Sequence, residues 1–515
     1  MLYSEGDWQM SEQYLLAHDF GTSGNKACIF NTEGEFLESA YHKIETYYPA
    51  PGRAEQRPED WWRAMKDATR EVVSKAGVSP KDIKGISFSS HGMTAIPLDK
   101  EGNLLLDQVM TWMDARSTEE AKHIANHTDL RKRYEKTGNS FDIALYPAAK
   151  LLWIKRNMPE IYNKTHKFLN PKEYLAYRLT GCYENTDYSE AGMSGLFNIH
   201  THKWDDELLR LSELDEELLL KPANSTKPVG HLTKAAADEL GLSTETLVVL
   251  GSWDNYACAI GGGIKKKGEV VTYLGTAGWT AINASKPLMS PDFMSNVVYV
   301  GDDSYFTTMH SHSACIAYEW VIDNFCKNLK NEFGEKVHEA ATKLALEAGI
   351  GAGGVFFLPS MFSGNTFYSD TSLAGTFLGL RMHHKQGNII RAAMEGPAFD
   401  MMMGAEFYKM MGVMSGEAKL IGGGANNDLW MQMLSSMFDV KMNRPKNLQH
   451  IGALGAALMA GVGAGVIESL DVASDIIKIK DSVLPIKEET DQYKKLLPVF
   501  KNFYENLLPA YKGEL

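Results

Sequence analysis

Cysteine is scarce in this chain: Cys28, Cys182, Cys258, Cys315 and Cys326 are widely scattered, odd in number and without a CxxC spacing. That pattern excludes a disulfide framework and a zinc ribbon, and it leaves buried free thiols in a reducing compartment. Positive charge is also in deficit. Lys and Arg number 52 against 65 Asp and Glu, a formal net charge of -13, so the long-range field repels nucleic acid and anionic lipid. An anionic ligand would need local neutralisation. No apolar run is long enough for a membrane: Ile451 to Ile467 is laced with Gly and Ala and falls short of the roughly 20 apolar residues of a spanning helix. It reads as a tightly packed helix. The opening MLYSEGDWQMSEQ carries Glu5, Asp7 and Glu12 and no basic patch ahead of an apolar run. No secretory signal is expected there, and the expected compartment is cytoplasmic.

The remaining composition is ordinary, with 44% apolar and 23% charged residues, far from the usage of disordered segments. At 515 residues the chain exceeds the length at which a single core keeps growing, so two large domains are expected. Tyr14 to His18 is an apolar run ending at Asp19, followed by the turn Gly21-Thr22-Ser23-Gly24-Asn25 and a second run, Ala27 to Phe30. This is a hairpin, and Phe36 to Ile44 adds a third antiparallel strand. Pro58 to Ala76 has apolar residues near a helical period, acids in its first turn and Gly77 past its end, which predicts a helix. Short strands are predicted at Gly85 to Phe88 and Leu247 to Leu250, helical patterns from Ser117 to Leu179, and a terminal amphipathic helix over Asp491 to Tyr511. Glu269 to Leu274, Gly275-Thr276-Ala277-Gly278 and Trp279 to Asn283 then repeat the strand, Gly-Thr-x-Gly, strand grammar of the opening. One such hairpin in each half implies a duplicated α/β domain. The boundary is expected at Gly261-Gly262-Gly263, giving an N-terminal domain over 12–262 and a C-terminal domain over 263–515, with hinge-like freedom between them.

Asp19 to Lys26 combines a carboxylate at a strand end, glycines that admit a phosphate to the backbone, hydroxyl donors and a cation, a set suited to a transferring phosphate with magnesium. An ordinary hairpin turn would carry the same glycines. The echo at Gly275-Thr276 and a third loop, Gly422-Gly423-Gly424-Ala425-Asn426-Asn427, tilt the reading towards a nucleotide, because the third loop runs from a strand ending at Ile421 into a helical pattern. Asp254 follows a strand and precedes a small-residue helix, where a carboxylate can take a proton from an attacking hydroxyl or simply cap the helix. His91, flanked by Gly92, is expected to be exposed at a strand's C-terminal end, where α/β ligands gather. Trp112, Asp114 and Arg116 offer stacking, acceptor and donor groups to a polyol, or form a surface ion pair. His310, His312, His383 and His384 lack partners at metal spacing and are read as non-ligands.

Together these segments resemble the FGGY family of carbohydrate kinases, from about Tyr14 to Ile467. Asp19 to Lys26 resembles the family's N-terminal phosphate loop, and Ser90-His91-Gly92 with Met93-Thr94 the Met-His-Gly element of its xylulose kinases. Leu169 to Leu175 is similar to a Pro-Lys-Asp-Tyr-Leu stretch, and Asp187 to Gly192 to an Asp-x-Ser-x-Ala-Gly stretch. Asp254-Asn255 resembles the catalytic Asp-Asn pair, Gly275-Thr276 and Gly422 to Ala425 two ATP-contact loops, and Ala453 to Ala457 a Gly/Ala-rich helix near the nucleotide. Ser90, Trp253 and Ala277 depart from the residues common at their positions.

The resemblance implies an α/β fold of two actin-like ATPase (ribonuclease-H-like) domains with a cleft between them, ATP on the second and sugar mainly on the first. It implies Asp254 as catalytic base, Asp19 as the Mg2+ carboxylate, and His91, Gly92, Asn255, Asp114 and Arg116 on the sugar side. Thr22, Ser23, Lys26, Gly275, Thr276, Gly423, Gly424 and Asn427 would serve the ATP phosphates and nucleotide. The expected activity is transfer of phosphate from ATP to a primary hydroxyl of a small open-chain sugar. D-xylulose is the first choice, with gluconate, ribulose or another polyol as alternatives. A non-catalytic sugar- and ATP-binding protein or an actin-like filament ATPase is the reading from another class. The expected partners are the sugar and ATP, with neither nucleic acid nor membrane, and a homodimer is the assembly to test.

Overall fold

The computed structural model describes residues 12–139, 143–264, 266–290, 294–299, 303–361 and 364–513. The opening segment 1–11, where no secretory signal is expected, lies outside them. By internal packing the chain forms two compact units. One comprises Met1–Thr137, Phe141–Gly263 and Gly452–Ile476, and the other Gly138–Ser140, Ile264–Ile451 and Ile477–Leu515.

The first unit is built on a seven-stranded sheet. Strands β1 (Tyr14–Gly21), β2 (Gly24–Asn31) and β3 (Phe36–Lys43) form an antiparallel meander, and β4 (Ile83–Ser90) runs parallel to β1 on its other side. β5 (Pro228–His231), β6 (Leu247–Val249) and β7 (Ser252–Trp253) complete it, β6 and β7 both parallel to β4 and β5 antiparallel to β6. Leu15, Leu16, Ala17 and His18 of β1 are all buried, the near-continuous run of a central strand covered on both faces. Helix α1 (Pro58–Ala76) covers one face and buries Trp61, Trp62, Met65, Ala68 and Val72. Pro58 suits its first turn, Glu59 and Asp60 face the positive end of its dipole, and Gly77 closes it at φ 65° with its N–H on the Val73 carbonyl. Further helices are α2 (Pro147–Asn157), α3 (Pro171–Thr180), the single turn α4 (Tyr188–Gly192) and α5 (Asp254–Gly261).

The second unit repeats the plan. β8 (Val270–Leu274) and β9 (Gly278–Ala284) form its hairpin, β10 (Ser295–Val298) and β11 (Tyr305–Ser311) extend it antiparallel, and β12 (Glu417–Ile421) lies parallel to β8. β13 (Lys441–Pro445) is parallel to β12, and β14 (Ile479–Val483) closes the edge antiparallel to β13. A hairpin, then two parallel neighbours, then an antiparallel edge is the order in both sheets, so the echoed hairpins belong to a duplicated ribonuclease-H-like, actin-like architecture. The helices here include α6 (Cys315–Phe325), α7 (Val337–Ala348), α8 (Gln386–Met410) and α9 (Asp428–Phe438). α8 fills the core with Met394, Met401, Met402 and Met403, unbranched side chains that accommodate irregular gaps. After β13 the Gly/Ala-rich helix α10 (Ile451–Gly463) packs with the first unit, and α11 (Lys487–Lys512) ends the second. Among the described residues no helix is long and apolar enough to cross a membrane.

Candidate active site

In the first unit, strand register gathers the sequence-predicted residues at one edge. Asp19 of β1 and Ser252 of β7 both stand beside Ser89 of β4, and Phe20 and Trp253 beside Ser90. His91 and Asp254 therefore leave the ends of adjacent parallel strands together, the side of an α/β sheet on which ligands collect. Asp19 accepts a hydrogen bond from Ser89 Oγ at 2.8 Å and stands opposite Lys26 in the hairpin. Burial raises its carboxyl, and Ser89 and Lys26 pull against that. Asp254 is half-buried and accepts the Asn255 N–H at 2.7 Å. Burial, reinforced by the charge of Asp19, pushes its carboxyl up to about 7, with the Asn255 N–H opposing. It is the first residue of α5, whose cap residue, Trp253, makes no side-chain capping bond.

His91 is not exposed, contrary to expectation. It is 4% accessible, its ring stacked on Phe20 at 5.3 Å and edge-on to Trp61 at 6.1 Å. Two large aromatics from β1 and α1 close over the strand end. Among the described residues neither ring nitrogen has a hydrogen-bond partner of ordinary geometry, and burial lowers the imidazole to about 4, with the Gly92 backbone opposing, so a neutral ring with unspent hydrogen-bonding capacity sits there.

Around this edge, Thr22 Oγ1 accepts from Trp112 Nε1 at 2.8 Å, while Ser23 is exposed and its carbonyl accepts from Tyr41 OH. Gly92 passes directly beneath Glu190. Asp114 and Arg116 form a buried pair rather than a surface one. Asp114 takes bonds from Ala54 N, Arg116 N, Arg116 Nε and Arg116 NH2, which uses the full acceptor capacity of a carboxylate. Arg116 also reaches Glu55 at 2.5 Å and lies 5.3 Å over Trp153. Two buried lysines stand beside these segments; the sequence reading missed Lys150 and gave Lys172 only as part of the Leu169 to Leu175 stretch. Lys150 donates to the carbonyls of Met93 at 2.7 Å and Thr111 at 2.6 Å, and burial pulls it down to about 7, with Asp114 opposing. Lys172 pairs with Asp187 at 2.8 Å.

In the second unit, Gly275, Thr276, Gly423, Gly424 and Asn427 line a single cavity of about 820 Å³, within the size range of ligand sites. A Cβ on Gly422, at φ 90°, would lie 2.6 Å from the Leu274 carbonyl and one on Gly424 2.6 Å from the Leu274 side chain, so the two loops cross too closely for side chains there. A Cβ on Gly423 would instead meet nothing within 4 Å. The loop runs from the strand into a helix as expected, by way of a short turn. Gly423–Asn426 is a single 3-10 turn, and Asn427 caps α9 by accepting from the N–H groups of Leu429 and Trp430 at 3.0 and 3.2 Å. Those two donors are thus spent on the cap, and the exposed Gly423 backbone is what the loop presents. Asn427 also donates to Thr342 Oγ1 of α7 at 2.8 Å. Tyr318, His338, Thr342 and Lys343 complete the wall. The sequence reading singled out none of these four.

Duplicated folds of this kind, with carboxylates beyond parallel strands and a glycine-lined cavity, are those of actin-like phosphotransferases. Within that class the chain belongs to the FGGY family of carbohydrate kinases, whose N-terminal domain matches residues 14–261 and C-terminal domain 270–464. It is 29% identical over 503 residues to a xylulose kinase of Bacillus subtilis (strain 168), covering 96% of this chain and 97% of that one. It is 28% identical over 504 residues to a gluconokinase of the same organism, covering 97% of each. Its fold is similar to that of the ligand-bound xylulose kinase from Lactobacillus acidophilus, with a TM-score of 0.88 at 24% identity over 98% of this chain and 100% of that one. The chain is a sugar kinase of this family.

Proposed function

We propose that this kinase transfers the γ-phosphate of ATP to a primary hydroxyl of a small open-chain ketose, with D-xylulose the first choice, and that Asp254 is the general base. The observation that carries this is the shared strand edge of Asp254, Asp19 and the hydrogen-bond-ready His91. A carboxylate held near neutrality by burial is matched to taking a proton from a hydroxyl at physiological pH. Asn255, which braces Asp254 through its backbone, and His91 orient the sugar.

The cavity of about 820 Å³ suits a nucleotide, and Gly423 offers backbone without a side chain in the way. Among the described residues no cluster of three or more metal-ligating side chains exists. Magnesium suits this arrangement, since it is commonly held by one or two carboxylates together with substrate phosphates and water. Asp19, a half-buried carboxylate with its charge only partly compensated, is the residue that would hold it, with Lys26 and Thr22 beside the phosphates. Bound magnesium supplies charge neutralisation at the phosphoryl oxygens.

A gluconokinase relative keeps gluconate in view, but Arg116, the sugar-side guanidinium, is already matched by Asp114 and Glu55. That favours a neutral sugar over a carboxylate. Coupled ADP release over pentuloses, hexuloses, aldonates, glycerol and tetritols tests the reading. D-xylulose is expected to give the highest kcat/KM. A gluconate rate about 10-fold higher would move the substrate, and no sugar-dependent ADP release at all would end the proposal.

A further inference from the structure

Met93 holds a left-handed backbone at φ 56°, a conformation that a side-chain-bearing residue keeps only when its surroundings over-determine it. It follows His91 and Gly92 beyond β4, and its surroundings do so from both ends. The Met93 N–H donates to Glu190 Oε1 at 3.1 Å, and its carbonyl accepts from Lys150 Nζ at 2.7 Å. Glu190 lies so close over the chain that a Cβ on Gly92 would be 2.0 Å from Oε1. The next N–H, of Thr94, goes to Asn170 Oδ1 at 3.0 Å. The turn is therefore suspended on side chains of α2 and α4 and of the residue capping α3.

Lys150 does a second thing. The same ammonium takes the Thr111 carbonyl at 2.6 Å, the residue that leads into Trp112, Asp114 and Arg116. Its side chain is fully buried, where a methionine would fill the space without the cost of desolvating a charge. What Lys150 adds over an apolar residue is the tie between two backbone segments.

We propose that Lys150 is a positioning residue for the sugar side: with Glu190 it clamps Met93 and locks the His91–Thr94 turn to the Thr111–Arg116 segment, fixing where His91 presents its ring. The inference rests on the sugar-kinase reading above. Lys150→Met keeps the length of the side chain, strips the Met93 carbonyl of its Lys150 bond and leaves the Thr111 carbonyl with the Asp114 N–H alone. It should raise the D-xylulose KM by about 10- to 100-fold while the ATP KM stays within about 2-fold. Amide hydrogen exchange should rise in peptides covering 91–94 and 111–116 and stay unchanged in β6 and β12. Glu190→Leu should do the same at 91–94, and Glu190→Gln, which keeps the acceptor for Met93, should rescue it. If Lys150→Met does not fold, the Glu190 pair carries the contrast at 91–94. Unchanged sugar KM and unchanged exchange in both segments would overturn the clamp, as would exchange raised evenly across the first unit. A wild-type enzyme that turns over no sugar would sink the functional reading instead, and the exchange comparison would still decide the clamp.

Discussion

Gly423 is exposed, lines the large cavity of the second unit, and has open space where a Cβ would be. A side chain there should block a ligand without disturbing the fold. Gly423→Val is expected to raise the ATP KM by about 10-fold or more with an unchanged melting temperature and sugar KM; an ATP KM equal to wild type would show that the loop does not face the nucleotide. At this scale the sequence was legible where chemistry is local. Asp19, Asp254 and the glycine loops stand out because a strand end followed by a carboxylate, or a strand followed by glycines, is a short pattern. His91 was only half legible. Its place at a strand end is local, but its burial depends on Phe20 and Trp61 arriving from other elements. Lys150 was invisible for the same reason, and Glu190 entered only within the Asp187 to Gly192 stretch, since nothing near them in the chain announces that both reach Met93.

Helix α10 shows what element packing adds. Its Gly/Ala composition announced close packing but not the partner. Gly455 lies against α5, the helix that begins at Asp254, and a Cβ there would be 1.9 Å from the Ala257 carbonyl oxygen. At the start of α10, a Cβ on Gly452 would be 3.1 Å from Asp19 Oδ1. Gly455→Ala must therefore push backbone from backbone, an overpacking of the kind that costs about 1–3 kcal/mol. The melting temperature should drop by several degrees, at roughly 2–4 °C per kcal/mol for domains of this size, and kcat should fall as α5 carries Asp254 out of line. Unaltered stability and turnover would mean that the helices are free to part. The helix that follows the glycine loop was read correctly, but its cap was not. The glycine loop and the helical pattern were both visible, but the intervening turn and the Asn427 cap depend on backbone geometry that composition does not encode.

Across the whole molecule, the two sheets carry the same order of strands, and a single repeated hairpin grammar was enough to read the duplication. The grammar survives because both β1–β2 and β8–β9 make their tight turns with glycines, and a tight turn constrains sequence more than a helix surface does. The cavity wall built by α6 and α7 was not readable, since amphipathic helices meet their constraints with many sequences. In the proposed account the two units divide the chemistry, with sugar and base on the first and nucleotide on the second. Asp254→Asn tests it most directly, because it keeps the shape and acceptor of the side chain and removes only its ability to take a proton. General-base assistance contributes about 10²–10⁴-fold. In the sugar-dependent ADP assay the account predicts a kcat lower by about that factor, with ATP affinity and melting temperature unchanged; near-normal turnover in the well-folded variant would contradict it.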